Sequence, residues 1–145
     1  MSADEIIEKS IEINASTSSV WETITNPDQI RLWMSDSEIN VESDFKVGSP
    51  IVFSGKLHGL KFRDEGTILK FEPETVFSYS HLSHISKLPL TPENSSVIEF
   101  RLESKETHTL LTVHQSNFVA KASYEHWNFY WNVTLGILKK VIESN

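Results

Sequence analysis

A chain of 145 residues is the size of one domain and is long enough to bury a hydrophobic core. Hydrophobic residues make up 39% of it, and its formal net charge of -7 disfavours binding to nucleic acid or to an anionic membrane. The absence of cysteine excludes disulfides, thiolate catalysis and zinc sites that use cysteine.

The opening segment, MSADEIIEKS, is polar and acidic, unlike a secretory signal peptide. No uninterrupted apolar run approaches the ~18 residues of a membrane-spanning helix. We therefore expect a cytoplasmic protein that does not insert into membranes and that folds as a single domain over residues 1–145.

The N-terminal part predicts a strand followed by two short helices. In residues 6–14, IIEKSIEIN, isoleucines alternate with polar residues, as in a half-buried strand. Serine and threonine caps then precede an apolar pattern and predict a helix near 17–25. Asn26 as a cap and Pro27 at the first helical position predict a second helix. The residues that this second segment should bury are Ile30, Trp33 and Met34.

The periodicity then changes to that of strands, which alternate apolar and polar residues. Gly66, inside the longest of them, predicts a bulge or a bend. The prolines of residues 86–95 predict a loop. The strands are predicted at 49–56, 61–71, 76–81, 97–104 and 109–118.

The segment from about 120 to 143 is the one long predicted helix. Its apolar residues cover an arc of roughly 160°, wider than the ~100° stripe of a helix that rests on a flat sheet. Such an arc favours a helix gripped by a curved sheet, and the order of elements predicts an α+β domain. The apolar residues are Tyr124, Trp127, Tyr130, Trp131, Leu135, Ile137, Leu138, Val141 and Ile142.

Five motifs, made of packing and turn residues in a particular order, carry a family resemblance. They are INASTSSVWETITNPDQIRLWM, FKVGSPIVFSG, EGTILKFEPETVFSYSH, THTLLTVHQSNF and YWNVTLGILKKVIE. Together they resemble the START-like (SRPBCC) superfamily, and within it the branch related to the activator of heat-shock-protein-90 ATPase. The resemblance implies a helix-grip fold: a curved antiparallel sheet of about six to seven strands around a long C-terminal helix, with two short helices after the first strand.

The same resemblance implies a cavity between the sheet and the C-terminal helix that often holds an apolar or aromatic molecule. We expect a small hydrophobic, aromatic or lipid-like ligand there, with no cofactor. The alternative is that the same rings are ordinary filled core. The expected apolar walls are Trp33, Met34, Phe53, Phe77, Tyr79, Val113, Phe118, Trp127 and Trp131.

His81 and Gln115 are the polar residues expected to orient a ligand. Relatives tend to have an aromatic residue where His81 stands, and an imidazole there could bond a ligand or transfer a proton. Gln115 shares the inward parity of the last strand, and its amide both donates and accepts. The alternatives are a histidine satisfied by backbone or water, and a glutamine exposed at the rim.

No metal site is expected, because His81 and His84 are three apart and would point to opposite faces of a strand. Asp64, Glu65 and Arg63 are interpreted as solvated surface charges. No Ser/His/Asp order or phosphate loop is present, so no catalytic residues are predicted.

Two other functions stay open. The domain could act as a co-chaperone on the heat-shock-protein-90 ATPase or in a stress response, although relatives with that activity carry an additional N-terminal domain. It could also be an enzyme of cyclase or hydrolase type in which His81 transfers a proton.

Overall fold

The computed structural model describes residues 5–35, 38–57, 59–83 and 87–144. The strands within these ranges are β1 (Ile7–Ile13), β2 (Ile39–Ser43), β3 (Pro50–Leu57), β4 (Leu60–Glu72), β5 (Val76–His81), β6 (Ser96–Ser104) and β7 (Thr109–Ser116). The helices are α1 (Thr17–Thr25), α2 (Pro27–Ile30) and α3 (Lys121–Glu143), with a 3-10 turn at Pro92–Asn94.

All strands of the described part of the chain belong to one antiparallel sheet, in the order β1-β7-β6-β5-β4-β3-β2. The long helix α3 packs on one face of this sheet and contacts β1, while α1 contacts β6 and α2 contacts β2. A helix held by an antiparallel sheet, with two short helices after the first strand, is the predicted α+β helix-grip architecture. The prediction of the fold class is confirmed.

The two short helices begin where the cap residues predict. The Ser16 side chain accepts a hydrogen bond from the Ser19 backbone N–H, and the Asn26 side chain accepts one from Asp28. Pro27 occupies the first turn of α2, where its missing N–H leaves no intrahelical bond unmade. These caps fix the direction in which the chain leaves β1 and thereby bring Trp33 under the sheet.

Strand β7 shows why parity determines the interior. Its residues alternate without interruption between buried and half-buried. Because successive side chains on a strand point to opposite faces, one set faces α3 and the other faces away. The buried set is the predicted one: Thr109, Leu111, Val113 and Gln115.

Gly66 lies where the backbones of β4 and β5 are in close contact. A Cβ atom there would lie 1.6 Å from the Ser80 carbonyl oxygen, so the position admits no side chain. The register shift between β4 and β5 falls between Ile68 and Lys70, two residues further along. The irregularity predicted at Gly66 is therefore displaced, and the glycine serves a close backbone contact instead.

Three other sequence expectations differ from the structure. Strand β2 was not predicted, although Ile39 and Val41 alternate with polar residues and are buried. Ile137 was assigned to the buried face of α3 but is 41% exposed, because it lies at the edge of the apolar arc. Met34 is half-buried rather than buried.

None of the helices in the described ranges combines the length and the apolar composition needed to cross a membrane.

Candidate ligand-binding site

Eight of the eleven predicted ligand-binding residues are buried side by side between the sheet and the helices. Three of their rings, those of Trp33, Phe77 and Trp131, pack against Phe100 of β6, which is not among the predicted site residues. The ring centroid of Phe100 lies 5.7 Å from that of Trp131 and 6.2 Å from those of Trp33 and Phe77. We call these eight residues the inner layer: Trp33, Phe53, Phe77, Tyr79, Val113, Gln115, Phe118 and Trp131.

Gln115 is the polar member of the inner layer, and both ends of its amide are engaged within the chain. Its Oε1 accepts a hydrogen bond of 2.8 Å from the Trp131 indole Nε1, and its Nε2 donates one of 3.1 Å to Ser96 Oγ. The side chain is fully buried, so the alternative of an exposed rim residue is excluded. Gln115 therefore ties α3 to β6 and β7, and a ligand contact by it stays a prediction.

The other three predicted residues, Met34, His81 and Trp127, are half-buried at one end of the inner layer. Tyr130 joins them: its ring lies 5.2 Å from that of Trp127, and its hydroxyl donates a hydrogen bond of 2.5 Å to the Met34 carbonyl oxygen. The His81 ring lies 5.2 Å from Trp127 and meets it edge-on. We call Met34, His81, Trp127 and Tyr130 the rim cluster.

Asp64 lies beside the rim cluster on β4. One of its carboxylate oxygens is 3.3 Å from His81 Nε2, and the two side chains are only 19% and 10% exposed. The expectation that Asp64 is a solvated surface charge is therefore wrong. The register explains its position: Asp64 pairs with Phe53 on β3, and Phe53 is an inner-layer residue 5.8 Å from the His81 ring.

Burial also determines the charge state of the two tyrosines nearest the rim. It raises the pKa of Tyr79 far above its ordinary value, with a smaller contribution from Tyr130. It raises the pKa of Tyr130 as well, against a hydrogen bond with Thr134 that lowers it. Both hydroxyls are therefore neutral at physiological pH.

Two surface pockets lie elsewhere, and none of the eleven predicted residues lines either of them. One, of about 310 Å³, includes Arg63 and Glu65, which are paired at 2.8 Å. The other, of about 480 Å³, includes Glu99 on the face of the sheet away from α3. An internal cavity for the ligand therefore stays a prediction.

Glu99 in the larger pocket is almost fully buried and fully paired. Burial alone would raise the pKa of this carboxyl, but Lys70 and Arg101 outweigh burial and lower the pKa below its usual range. Lys70 lies 3.1 Å away, and Arg101 bonds the other oxygen. The three charges hold β4 and β6 together across β5.

Across the residues that the structure describes, no three acidic or histidine side chains converge closely enough to hold a metal ion. The predicted exclusion of a shared site for His81 and His84 lies partly outside them, because His84 falls beyond the described ranges.

A long helix gripped by a curved antiparallel sheet, with an aromatic interior between the two, defines a START-like (SRPBCC) domain. Solved structures agree with this assignment. The chain is similar to ChR145 from Cytophaga hutchinsonii at 33% identity, with a TM-score of 0.82 and coverage of 99% of this chain and 97% of that one.

Two further solved structures share the fold. The Aha1 dimer from Colwellia psychrerythraea is 24% identical, with a TM-score of 0.74 and coverage of 96% of both chains. Protein MLL2253 from Mesorhizobium loti is 20% identical, with a TM-score of 0.78 and coverage of 97% and 98%. Among curated proteins, none matches the sequence significantly.

The family model "Activator of Hsp90 ATPase homolog 1-like protein" matches residues 14–143, nearly the whole chain. The protein therefore belongs to the Activator of Hsp90 ATPase homolog 1-like family.

Proposed function

We propose that this domain binds a small aromatic or lipid-like molecule at the rim cluster, between α3 and the β4–β5 end of the sheet. The observation that carries the proposal is the half-buried state of Met34, His81 and Trp127 next to a sealed inner layer. Apolar side chains with accessible edges and a few polar groups among them are typical of ligand sites. A cytoplasmic setting is part of the proposal and fits a chain without cysteine.

The rim cluster also has the means to adjust to a ligand. Methionine is flexible and polarisable, so Met34 can follow the shape of a ring. The edge-on contact between His81 and Trp127 is one that a flat ligand could replace with a stacked one. Asp64, 3.3 Å from His81 Nε2, would hold the imidazole while its other edge meets the ligand.

The expected affinity is modest. A ligand that removes about 200 Å² of apolar surface from water gains about 5 kcal/mol, before the cost of ordering. Without that cost, 5 kcal/mol corresponds to a dissociation constant of about 0.2 mM, so the ordering cost places the expected value in the millimolar range. Tighter binding requires Trp127 to move aside and open the inner layer.

The test is a titration of ¹⁵N-labelled protein with a library of aromatic and fatty-acid-like compounds, followed through the indole N–H signals. We expect a saturable shift at Trp127. Trp21 provides the control, since it is also half-buried but, among the described residues, its ring contacts Phe71 and the inner-layer residue Phe77 rather than the rim cluster. Compounds that leave Trp127 unmoved, or that shift Trp21 equally, would refute the proposed site.

A second candidate, co-chaperone activity on an Hsp90-type ATPase, is favoured by the family itself. Its test is the steady-state ATPase rate of the purified chaperone at increasing concentrations of this domain. A saturable rise supports the activity, and an unchanged rate at all concentrations removes it. The ligand titration at the rim cluster and the ATPase assay are independent measurements, so either function can be supported while the other is refuted.

The proximity of Asp64 to His81 also keeps an enzymatic role testable, because a carboxylate beside an imidazole orients a general base. Once a bound compound is known, turnover that is unchanged in His81→Phe would remove that role.

A further inference from the structure

An apolar stripe lies on the side of α3 that faces away from the sheet. Phe129 is 71% exposed, Val133 47% and Ile137 41%. They are four residues apart, so each lies one turn beyond the last on the same side of the helix. The opposite side buries Trp131 and Leu138 against the sheet.

Gly136 lies within this stripe, in the interior of a helix of 23 residues. Glycine is the least favourable helix residue after proline. A Cβ atom built at Gly136 meets nothing within 4 Å, so no contact inside the chain requires glycine there. Its absence of a side chain would instead let a second helix approach closely.

Glu125 and Lys140 are exposed charges of opposite sign at the two ends of the stripe, while Glu143 at the C-terminal end is already paired with Lys139 and the Asn14 N–H. Glu125 lies eight residues before Val133, and Lys140 lies seven residues after it. At a rise of about 1.5 Å per residue, they stand about 12 and 10.5 Å from Val133 along the helix axis. An antiparallel copy of α3 with a two-fold axis at Val133 would thus bring Glu125 opposite Lys140 of the partner subunit.

The same antiparallel arrangement also brings the apolar residues of the two stripes into contact. Phe129 and Ile137 are equally distant from Val133, so each would face the other residue of the second copy. A two-fold interface uses the same patch on both subunits, and this patch is self-complementary in both charge and apolarity. A parallel pair would set Glu125 against Glu125 and Lys140 against Lys140.

We propose that the stripe, defined by Phe129, Val133, Gly136 and Ile137, is covered by the α3 helix of a second copy of this chain, in an antiparallel two-fold dimer. Trp127 of the rim cluster lies about 120° from Val133 around the helix axis, so the dimer leaves the Trp127 ring accessible. The proposal does not depend on ligand binding.

The test measures the dimer dissociation constant by analytical ultracentrifugation. We expect concentration-dependent dimerisation of the wild-type protein, weakened at least about tenfold by Phe129→Glu. Leu60→Glu is the matched control, because Leu60 is 74% exposed but lies on β4. Neither variant should change the thermal midpoint of the monomer, because both sites are exposed.

Exchange of the charges tests the orientation. Glu125→Lys and Lys140→Glu should each weaken the dimer, and the double variant should restore it, most clearly at low salt. A monomer at all concentrations, a dimer indifferent to Phe129→Glu, or a double variant that fails to recover would overturn the proposal. A monomer whose Phe129→Glu variant loses chaperone binding would assign the stripe to a different partner and equally overturn it.

Discussion

Trp127 and Trp131 are one turn apart on α3 and stack with their ring centroids 6.1 Å apart, yet they belong to different regions of the molecule. Trp131 is 1% exposed, and its indole N–H bonds Gln115. Trp127 is half-buried, and its indole has no hydrogen bond to any of the described residues. The boundary between the inner layer and the rim cluster thus lies between these two tryptophans.

The difference lies in what surrounds each ring. Trp131 has the sheet on one side and Phe100 5.7 Å away, so its surface is covered and its polar atom is satisfied. Trp127 has His81 and Tyr130 at its edges and solvent beyond. A fixed ring contributes stability, whereas a ring with a free edge can change partners, so the predictions below treat the two regions as separable.

Trp131→Ala should have the largest effect. It removes a buried ring from the inner layer and leaves Gln115 Oε1 without its donor, so we expect a loss of about 3–5 kcal/mol in the free energy of unfolding. Urea denaturation measures the loss. If Trp131→Ala and Trp127→Ala lost nearly the same free energy of unfolding, the distinction between the inner layer and the rim cluster would be contradicted.

Gln115→Leu should destabilise the protein by about 1–3 kcal/mol, because the indole N–H of Trp131 and the hydroxyl of Ser96 lose a buried partner. Adding Trp131→Phe removes the orphaned indole N–H, so the double variant should lose less than the sum of the two single variants. Strict additivity in this double-mutant cycle would contradict the coupling through the hydrogen bond.

Trp127→Ala should cost only about 1–2 kcal/mol, since part of the ring already contacts water. Its main effect should be on binding: compounds that shift the Trp127 indole in the wild-type protein should bind the variant at least about tenfold more weakly. Trp21→Phe is the control for loss of a half-buried indole elsewhere. Unimpaired binding by Trp127→Ala would move the site away from the rim.

Glu143→Gln should have the smallest effect and should leave the rim untouched. The Asn14 backbone N–H and then Lys139 lower the pKa of this carboxyl below its ordinary value. A lowered pKa in the folded state means that the contribution to stability is present above the ordinary pKa of glutamate and is lost as the pH falls through the folded-state value. The difference between variant and wild type should therefore be visible at neutral pH and disappear in acid, as followed by thermal unfolding at several pH values.

Much of the fold could be predicted because the signals are local. The caps at Ser16 and Asn26 mark where α1 and α2 begin, and the alternation of β7 identifies its inward residues, including Gln115. The sequence does not predict strand β2, because the strand is five residues long and only two of them, Ile39 and Val41, are buried.

The candidate site could be predicted only in part. Periodicity gives the direction of a side chain but not the depth of its burial, so Trp127 and Trp131 could not be told apart. The approach of Asp64 to His81 depends on the register of two strands joined through a shift between Ile68 and Lys70, which the sequence does not reveal. The central position of Phe100 follows from the packing of three separate elements, which periodicity does not reveal.

The location of β1 at the edge of the sheet has a consequence for biosynthesis. Its backbone partners belong to β7, with Ile7 opposite Gln115, and the Asn14 N–H bonds the Glu143 carboxylate at 2.8 Å. A ribosome that adds about 5–20 residues per second needs roughly 5 to 20 s to pass from β1 to β7. During that time β1 lacks its partner β7, so the sheet is complete only when translation of the domain is nearly finished. Because β1 pairs with β7 at the edge of the sheet, a synthetic peptide spanning residues 5–14 should bind along β7 of a chain that begins at residue 15.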